Sequence, residues 1–199
     1  VHRAMEAGEL TCRSLVEQYL RQIEAYDKQG PAINAIIEIN RYALSIADAL
    51  DRKFAKGGFT GPMHCVPVIV KDNYNTMDMP TTGGSLSLKG FMPYKDAHVV
   101  KKLRDAGAVI LAKSNLSEFA NGTTTFSSLG GQTRNPYDPT RIPGGSSGGS
   151  GAAIAANMGL VGLGTETGRS VRGPAAYNGL VGLVPTEGLV SRKGIIPLS

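Results

Sequence analysis

Four apolar runs limit what this chain can fold into: VPVIV (66–70), AVILA (108–112), GLVGLG (159–164) and GLVGLV (179–184). Each is too short for a core helix, and none approaches the roughly 20 residues of a membrane span. None alternates between apolar and polar, so each reads as a strand buried on both faces. Helical periodicity fills the intervals. Thr11 precedes Cys12, Leu15, Val16, Tyr19, Leu20, Ile23 and Tyr26, the i, i+3, i+4, i+7 spacing of an amphipathic helix with an N-cap. Ala43, Ile46, Ala47, Leu50 and Phe54 repeat that spacing and end near Gly57-Gly58. Residues 97–106 turn Val99, Val100, Leu103 and Ala106 inward and close at Gly107. Shorter helices are expected at 150–157 and near 172–178. Strands separated by helices predict an α/β sheet with substantial parallel character, covered by helices.

Composition narrows the function. Hydrophobic residues make up 41% of the 199, enough for a substantial core. The net charge is +5, but the 21 lysines and arginines are scattered, and only pairs such as Lys101-Lys102 and Arg192-Lys193 adjoin. Without a basic stripe or interleaved aromatics, no specific nucleic-acid partner is expected. No membrane partner and no signal-peptide pattern are apparent, so a cytoplasmic setting is expected, with a removed leader left open. Two cysteines, Cys12 and Cys65, give neither a disulfide framework nor a metal spacing and read as ordinary thiols. No metal and no cofactor are expected.

Two glycine-serine clusters stand apart: GGSSGGSG (144–151) and GTETGRSVRG (164–173). The first is no linker, because it leads directly into the apolar stretch AAIAANMGL. Fourteen of the 26 glycines fall between Gly144 and Gly194, which favours close backbone approach over flexibility. Phosphate binding at a helix start is one reading, although neither G-x-x-x-x-G-K-[ST] nor a strand-linked G-x-G-x-x-G is present. A serine nucleophile is the other, and it needs a base. His2, His64 and His98 are poorly placed in sequence for that task. Lys71 ends the VPVIV strand in VIVKDN, at the mouth of a buried sheet, and a neutral lysine can replace histidine.

The run GGSSGGSGAAIAANMGLVGLGTETGRSVRGPA closely resembles the signature of the amidase signature family of serine hydrolases. GPMHCVPVIVKDNYNT resembles that family's lysine strand, and NAIIEIN, TTGGS (81–85), AKSNLSEFA (112–120) and GGQTRNPYDP (130–139) fall in the family's order. The resemblance implies a mixed central sheet covered by helices on both faces. It also implies a Ser–cis-Ser–Lys triad that hydrolyses a carboxylic amide through an acyl-enzyme. Carried over, Ser170 is the nucleophile, Ser146 the bridging serine after a cis Gly145–Ser146 bond, and Lys71 the base. Backbone N–H groups of Thr167, Gly168, Arg169 and Ser170 would form the oxyanion hole. Ser147, Glu166 and Arg172 would support the site, while Asn121, Gly122, Thr123 and Gln132 would line its rim. The implied partner is a small-molecule amide substrate, with homo-oligomerisation left open. The alternatives are the glutaminase-like A subunit of a tRNA-dependent amidotransferase and a catalytically impaired scaffold.

Two departures matter. Arg169 stands where the family usually carries Gly, and a Cβ there would resist a left-handed backbone. Family members are also considerably longer. Residues 1–199 are therefore expected to be the N-terminal part of a single amidase domain, with the sheet completed by a C-terminal portion.

Overall fold

The computed structural model describes residues 1–198. In chain order its helices and strands are α1 (His2–Glu6), α2 (Cys12–Tyr26), β1 (Ile36–Ile39), α3 (Ala43–Gly57), β2 (Pro67–Lys71), α4 (His98–Asp105), β3 (Val109–Ser114), β4 (Phe126–Ser127), β5 (Gly131–Gln132), α5 (Gly148–Ala155), β6 (Val161–Leu163) and α6 (Arg172–Tyr177). The main sheet has the order β1-β3-β2-β6. β2 runs parallel to β3 and to β6, and β1 runs antiparallel to β3, so the sheet is mixed. β4 and β5 form a separate hairpin inside the long polar stretch after β3.

Side-chain alternation along β2 assigns the two faces. Ile69 joins Val109, Leu111 and Ala112 beneath α2, α3 and α5, in a core that includes Val16, Ile23, Ala47, Leu50, Ala152 and Met158. Val68 and Val70 join Ile110 on the opposite face, against Val100 of α4 with Tyr74, Met79 and Ala97. Helices therefore cover both faces. α2 begins as the sequence predicts: Thr11 Oγ1 accepts from the Ser14 N–H at 3.0 Å, and the Ser14 hydroxyl accepts from the Thr11 N–H at 3.1 Å. The two bonds satisfy donors that the start of the helix would otherwise leave unpaired.

Two expectations are corrected. Residues 179–184 form no strand. They do not pair with β6, and Val181 and Leu183 are 99% and 83% exposed, so their apolar character reflects neither a ladder nor a core within the described residues. The cysteines are not free thiols either. Cys12 and Cys65 are joined in a disulfide that ties the first turn of α2 to the segment entering β2. Their separation of 53 residues carries no recognisable spacing, because the fold and not the sequence brings them to a Cα–Cα distance of 5.4 Å. The strand β1 and the short α1 are elements that the periodicity does not announce.

Candidate active site

Lys71 is the last residue of β2, the strand paired on both sides, and its side chain is fully buried. In sheets of this kind the carboxyl ends of parallel strands open onto ligand sites. Lys71 lies on the same face as Ile69, toward α5 and the glycine-serine cluster that precedes it. Its Nζ is 2.8 Å from Ser146 Oγ, 2.9 Å from Ser147 Oγ and 2.8 Å from Thr165 Oγ1. These three hydroxyls match the three protons of an ammonium. They equally suit a neutral amine that donates to Ser147 and Thr165 and accepts from the Ser146 hydroxyl. No carboxylate pairs with Lys71 among the described residues. Burial thus acts unopposed and pushes the ammonium down to about 7.

Lys113 shows what a carboxylate changes. It is equally buried, one strand away on the other face, and its Nζ lies 2.8 Å from Asp72 Oδ1. Pro80 O and Thr81 Oγ1 accept from it at 3.0 and 2.9 Å. Burial lowers Lys113 as well, but Asp72 opposes that shift and keeps a charge partner at hand. Of two lysines in adjacent strands, only Lys71 is left without a carboxylate.

The first glycine cluster is shaped by close approach. The Gly145–Ser146 peptide is cis. A Cβ on Gly145 would come within 2.7 Å of the Thr123 carbonyl carbon and 2.9 Å of Ser117 Oγ. A Cβ on Gly149 would strike the backbone of Asn115, and one on Gly148 would strike the Thr125 side chain. Glycine at these places lets the first turn of α5 lie directly on the segment leaving β3. Thr125 Oγ1 donates to Gly144 O at 2.7 Å and accepts from the Gly148 N–H at 3.0 Å, which fixes the loop from the other side.

The second cluster is held by one carboxylate. Glu166 Oε2 accepts from the N–H groups of Val171 and Arg172 at 2.7 and 2.9 Å. Its Oε1 meets the Arg172 guanidinium, whose Nη2 also donates to Gly168 O at 2.7 Å. Burial alone would raise the Glu166 carboxyl, but the two backbone N–H groups and Arg172 outweigh it and lower the group. The bracket closes residues 166–172 into a turn. Ser147 N donates to Ser170 O at 3.2 Å and draws that turn onto the cis-serine loop. The Ser170 hydroxyl makes no hydrogen bond to Ser146, so Lys71–Ser146 is the formed half of the expected triad. Among the described residues no acceptor meets the N–H groups of Thr167, Gly168, Arg169 or Ser170, which leaves four donors at one turn. Arg169 has no positive φ, so its Cβ imposes no left-handed strain.

The rim is only partly as expected. Thr123 borders a narrow cleft with Gly144, Gly145, Arg169, Gly173 and Tyr177. Asn121, Gly122 and Gln132 do not border it. Gln132 instead donates to Thr124 O at 2.6 Å and Thr133 O at 2.7 Å, bracing the 121–125 loop from behind. Thr165, Asn73 and Tyr177 are site residues that the sequence reading misses. Asn73 Nδ2 donates to Thr165 Oγ1 at 3.1 Å and so orients the third hydroxyl on Lys71. Thr165 sits inside the second cluster, next to Glu166, and that position is the available signal. His2, His64 and His98 take no part. His2 Nε2 lies 2.9 Å from His64 O, His64 Nδ1 accepts from the Thr60 N–H at 3.1 Å, and His98 opens α4. Among the described residues no cluster of His, Cys, Asp and Glu suits a metal.

Comparison with known proteins identifies the family. The family model Amidase matches residues 14–199. The A subunit of a glutamyl-tRNA(Gln) amidotransferase from Acidothermus cellulolyticus is 47% identical over 194 residues, covering 97% of this chain and 38% of the relative. The solved peptide amidase of Stenotrophomonas maltophilia superposes with a TM-score of 0.96 at 51% identity, over 99% of this chain and 41% of that one. An amidase family protein from Bacillus anthracis gives 0.94 at 38% identity, over 98% and 40%. The chain thus spans about two fifths of the length of the proteins it matches. With a buried lysine hydrogen-bonded to a cis-serine loop and a family match over nearly its whole length, this chain belongs to the Amidase family.

Proposed function

We propose that this chain carries the catalytic half of an amidase, which hydrolyses a carboxylic amide to an acid and ammonia or an amine. The observation that supports it most is Lys71, fully buried, facing no carboxylate and 2.8 Å from the cis-serine hydroxyl. A lysine lowered to about 7 is substantially neutral at physiological pH and can accept a proton. On this mechanism, Ser170 attacks the amide carbon as its proton passes to Ser146 and that of Ser146 passes to Lys71. This requires the Ser170 hydroxyl to turn toward Ser146, as catalytic contacts often tighten only once substrate is in place. The free N–H groups of residues 167–170 receive the oxyanion. The proton returns from Lys71 through Ser146 to the departing nitrogen. Water then enters by the same relay and releases the acid from Ser170.

Fluorophosphonate labelling of the full-length protein tests the nucleophile. Wild type should be labelled at Ser170, and Ser170→Ala should lose both labelling and amide turnover. Undiminished labelling of that variant would remove Ser170 from the role.

A second reading has its own support in the 47% identity to an amidotransferase A subunit. Under it, the same relay releases ammonia from glutamine for a partner. Hydrolysis of simple amides by the isolated full-length protein favours the first reading. Turnover only of glutamine, and only with added partner subunits, favours the second. The disulfide and the expected cytoplasmic setting bear on neither chemistry.

A further inference from the structure

The charged groups around the cleft are unequally satisfied. Arg172 is held by Glu166, and Arg141 by Asp138 at 3.0 Å. Arg169 borders the cleft one residue before Ser170, and among the described residues neither a carboxylate nor a hydrogen-bond acceptor meets its guanidinium. Its backbone carbonyl accepts from the Gly173 N–H at 2.8 Å, which anchors the main chain from which the side chain projects. Gly173 keeps the space beside it open. A Cβ there would stand 3.9 Å from Arg169 Cγ and 4.0 Å from Gly145 O, so any larger residue would fill the gap between the guanidinium and the cis-serine loop. Tyr177 borders this cleft and also a larger one of about 460 Å³ that reaches Asn135 and Arg141. Tyr177 is thus the lining residue that the two clefts share.

We infer that Arg169 forms an anion subsite, and that the substrates are amides bearing a carboxylate or comparable acidic group a few bonds from the scissile carbonyl. The inference rests on the amidase function proposed for this chain. A guanidinium offers a planar fork of donors that matches a carboxylate in two-point contact, and such charge-assisted bonds exceed neutral ones. A cation in this place also repels amides that carry an ammonium in the same position, so it selects by rejection as well as by attraction. Its position beside the nucleophile makes it a specificity-determining residue that acts through substrate binding.

The test uses full-length protein and two substrates of nearly equal shape, glutaric acid monoamide and its methyl ester. Wild type should prefer the acid by roughly 10-fold or more in kcat/KM, the size expected of a hydrogen-bonded charge. Arg169→Gln should bring the ratio of acid to ester close to one, mainly through a higher KM for the acid. Because Arg169 is exposed among the described residues and its backbone is unstrained, this variant should keep the fold, which its thermal midpoint checks. An independent check needs no variant, since about 0.5 M NaCl should shrink the wild-type ratio. Competition of the same two compounds against fluorophosphonate labelling of Ser170 reports binding even where turnover is slow, and the acid should protect better. Equal use and equal protection by acid and ester, or an unchanged ratio in Arg169→Gln, overturns the anion subsite and leaves the amidase function standing. Absence of both hydrolysis and labelling overturns the amidase function, and the subsite with it.

Discussion

At the scale of single residues, the difference between Lys71 and Lys113 decides which lysine can do chemistry. Both are buried in neighbouring strands, and only Lys113 has a carboxylate. The charged form of Lys71 is disfavoured by burial and becomes the minority above about pH 7. In the proposed mechanism the neutral form is the base, so activity would follow deprotonation. For the full-length enzyme kcat/KM should rise with pH through an apparent pKa near 7 and level off above it. A profile flat from about pH 5 to about pH 9 would count against Lys71 as the base. Lys71→Ala should lower the rate by orders of magnitude, and Lys71→Arg should not restore it, because a guanidinium stays protonated. Near-normal turnover by Lys71→Arg would refute the base role. Lys71 can be singled out in the sequence because it ends an apolar strand. Of its other hydroxyl partners, Ser147 is legible only through the family resemblance, and Thr165 is not legible at all, since it reaches Lys71 only after 94 residues of chain have folded back.

At the scale of elements, the glycine clusters are joints between packed pieces. The first turn of α5 and the segment leaving β3 share a surface on which a methyl group has no space at Gly149, because the obstacle is the Asn115 backbone. Gly168, in the second cluster, has nothing within 4 Å of where its Cβ would be. The two glycines look alike in sequence and should respond differently. Gly149→Ala should destabilise the fold by about 1–3 kcal/mol, the usual cost of overpacking. Gly168→Ala should change unfolding stability by less than about 0.5 kcal/mol, as at an unobstructed surface position. Denaturant unfolding of both variants measures the contrast, and equal effects would mean the clusters are generic turns. The glycine density reveals that this backbone passes close to something. It does not reveal what, because Asn115 and Thr123 come from a polar stretch with no periodicity of its own. The same limit explains the error at 179–184. An apolar run of strand length carries no information about whether a neighbouring ladder is available, and beside β6 none is formed.

At the scale of the whole molecule, the disulfide ties α2 to the segment that enters β2 at the end remote from Lys71. Cys65 lies two residues before β2, and Cys12 opens α2, whose Val16 and Ile23 pack into the core beneath Ile69. Closing a loop across 53 residues removes freedom mainly from the unfolded chain, and the chain-entropy relation gives about 4 kcal/mol for a loop of that size. Typical disulfides deliver about 2–4 kcal/mol, so the expected shift lies in that range. Reduction, or the paired substitution Cys12→Ala and Cys65→Ala, should lower the denaturation midpoint of the full-length protein accordingly. Because both cysteines are fully buried, reduction under native conditions should be slow and should speed up once denaturant opens the fold. The catalytic constellation is fixed separately, by Thr125, Glu166 and the Asn115 contact, none of which touches the disulfide. Amide turnover by the reduced but still folded protein should therefore stay near that of the oxidised form, while its thermal midpoint falls. Disulfides persist in oxidising compartments and are rare in the cytosol. The bond and a cytoplasmic setting consequently predict opposite redox states for protein recovered from cells. Alkylation of free thiols in denaturant without reductant, followed by reduction and mass measurement of the Cys12 and Cys65 peptides, distinguishes them: two blocked thiols would place the working protein in a reducing environment and remove the covalent contribution to its stability.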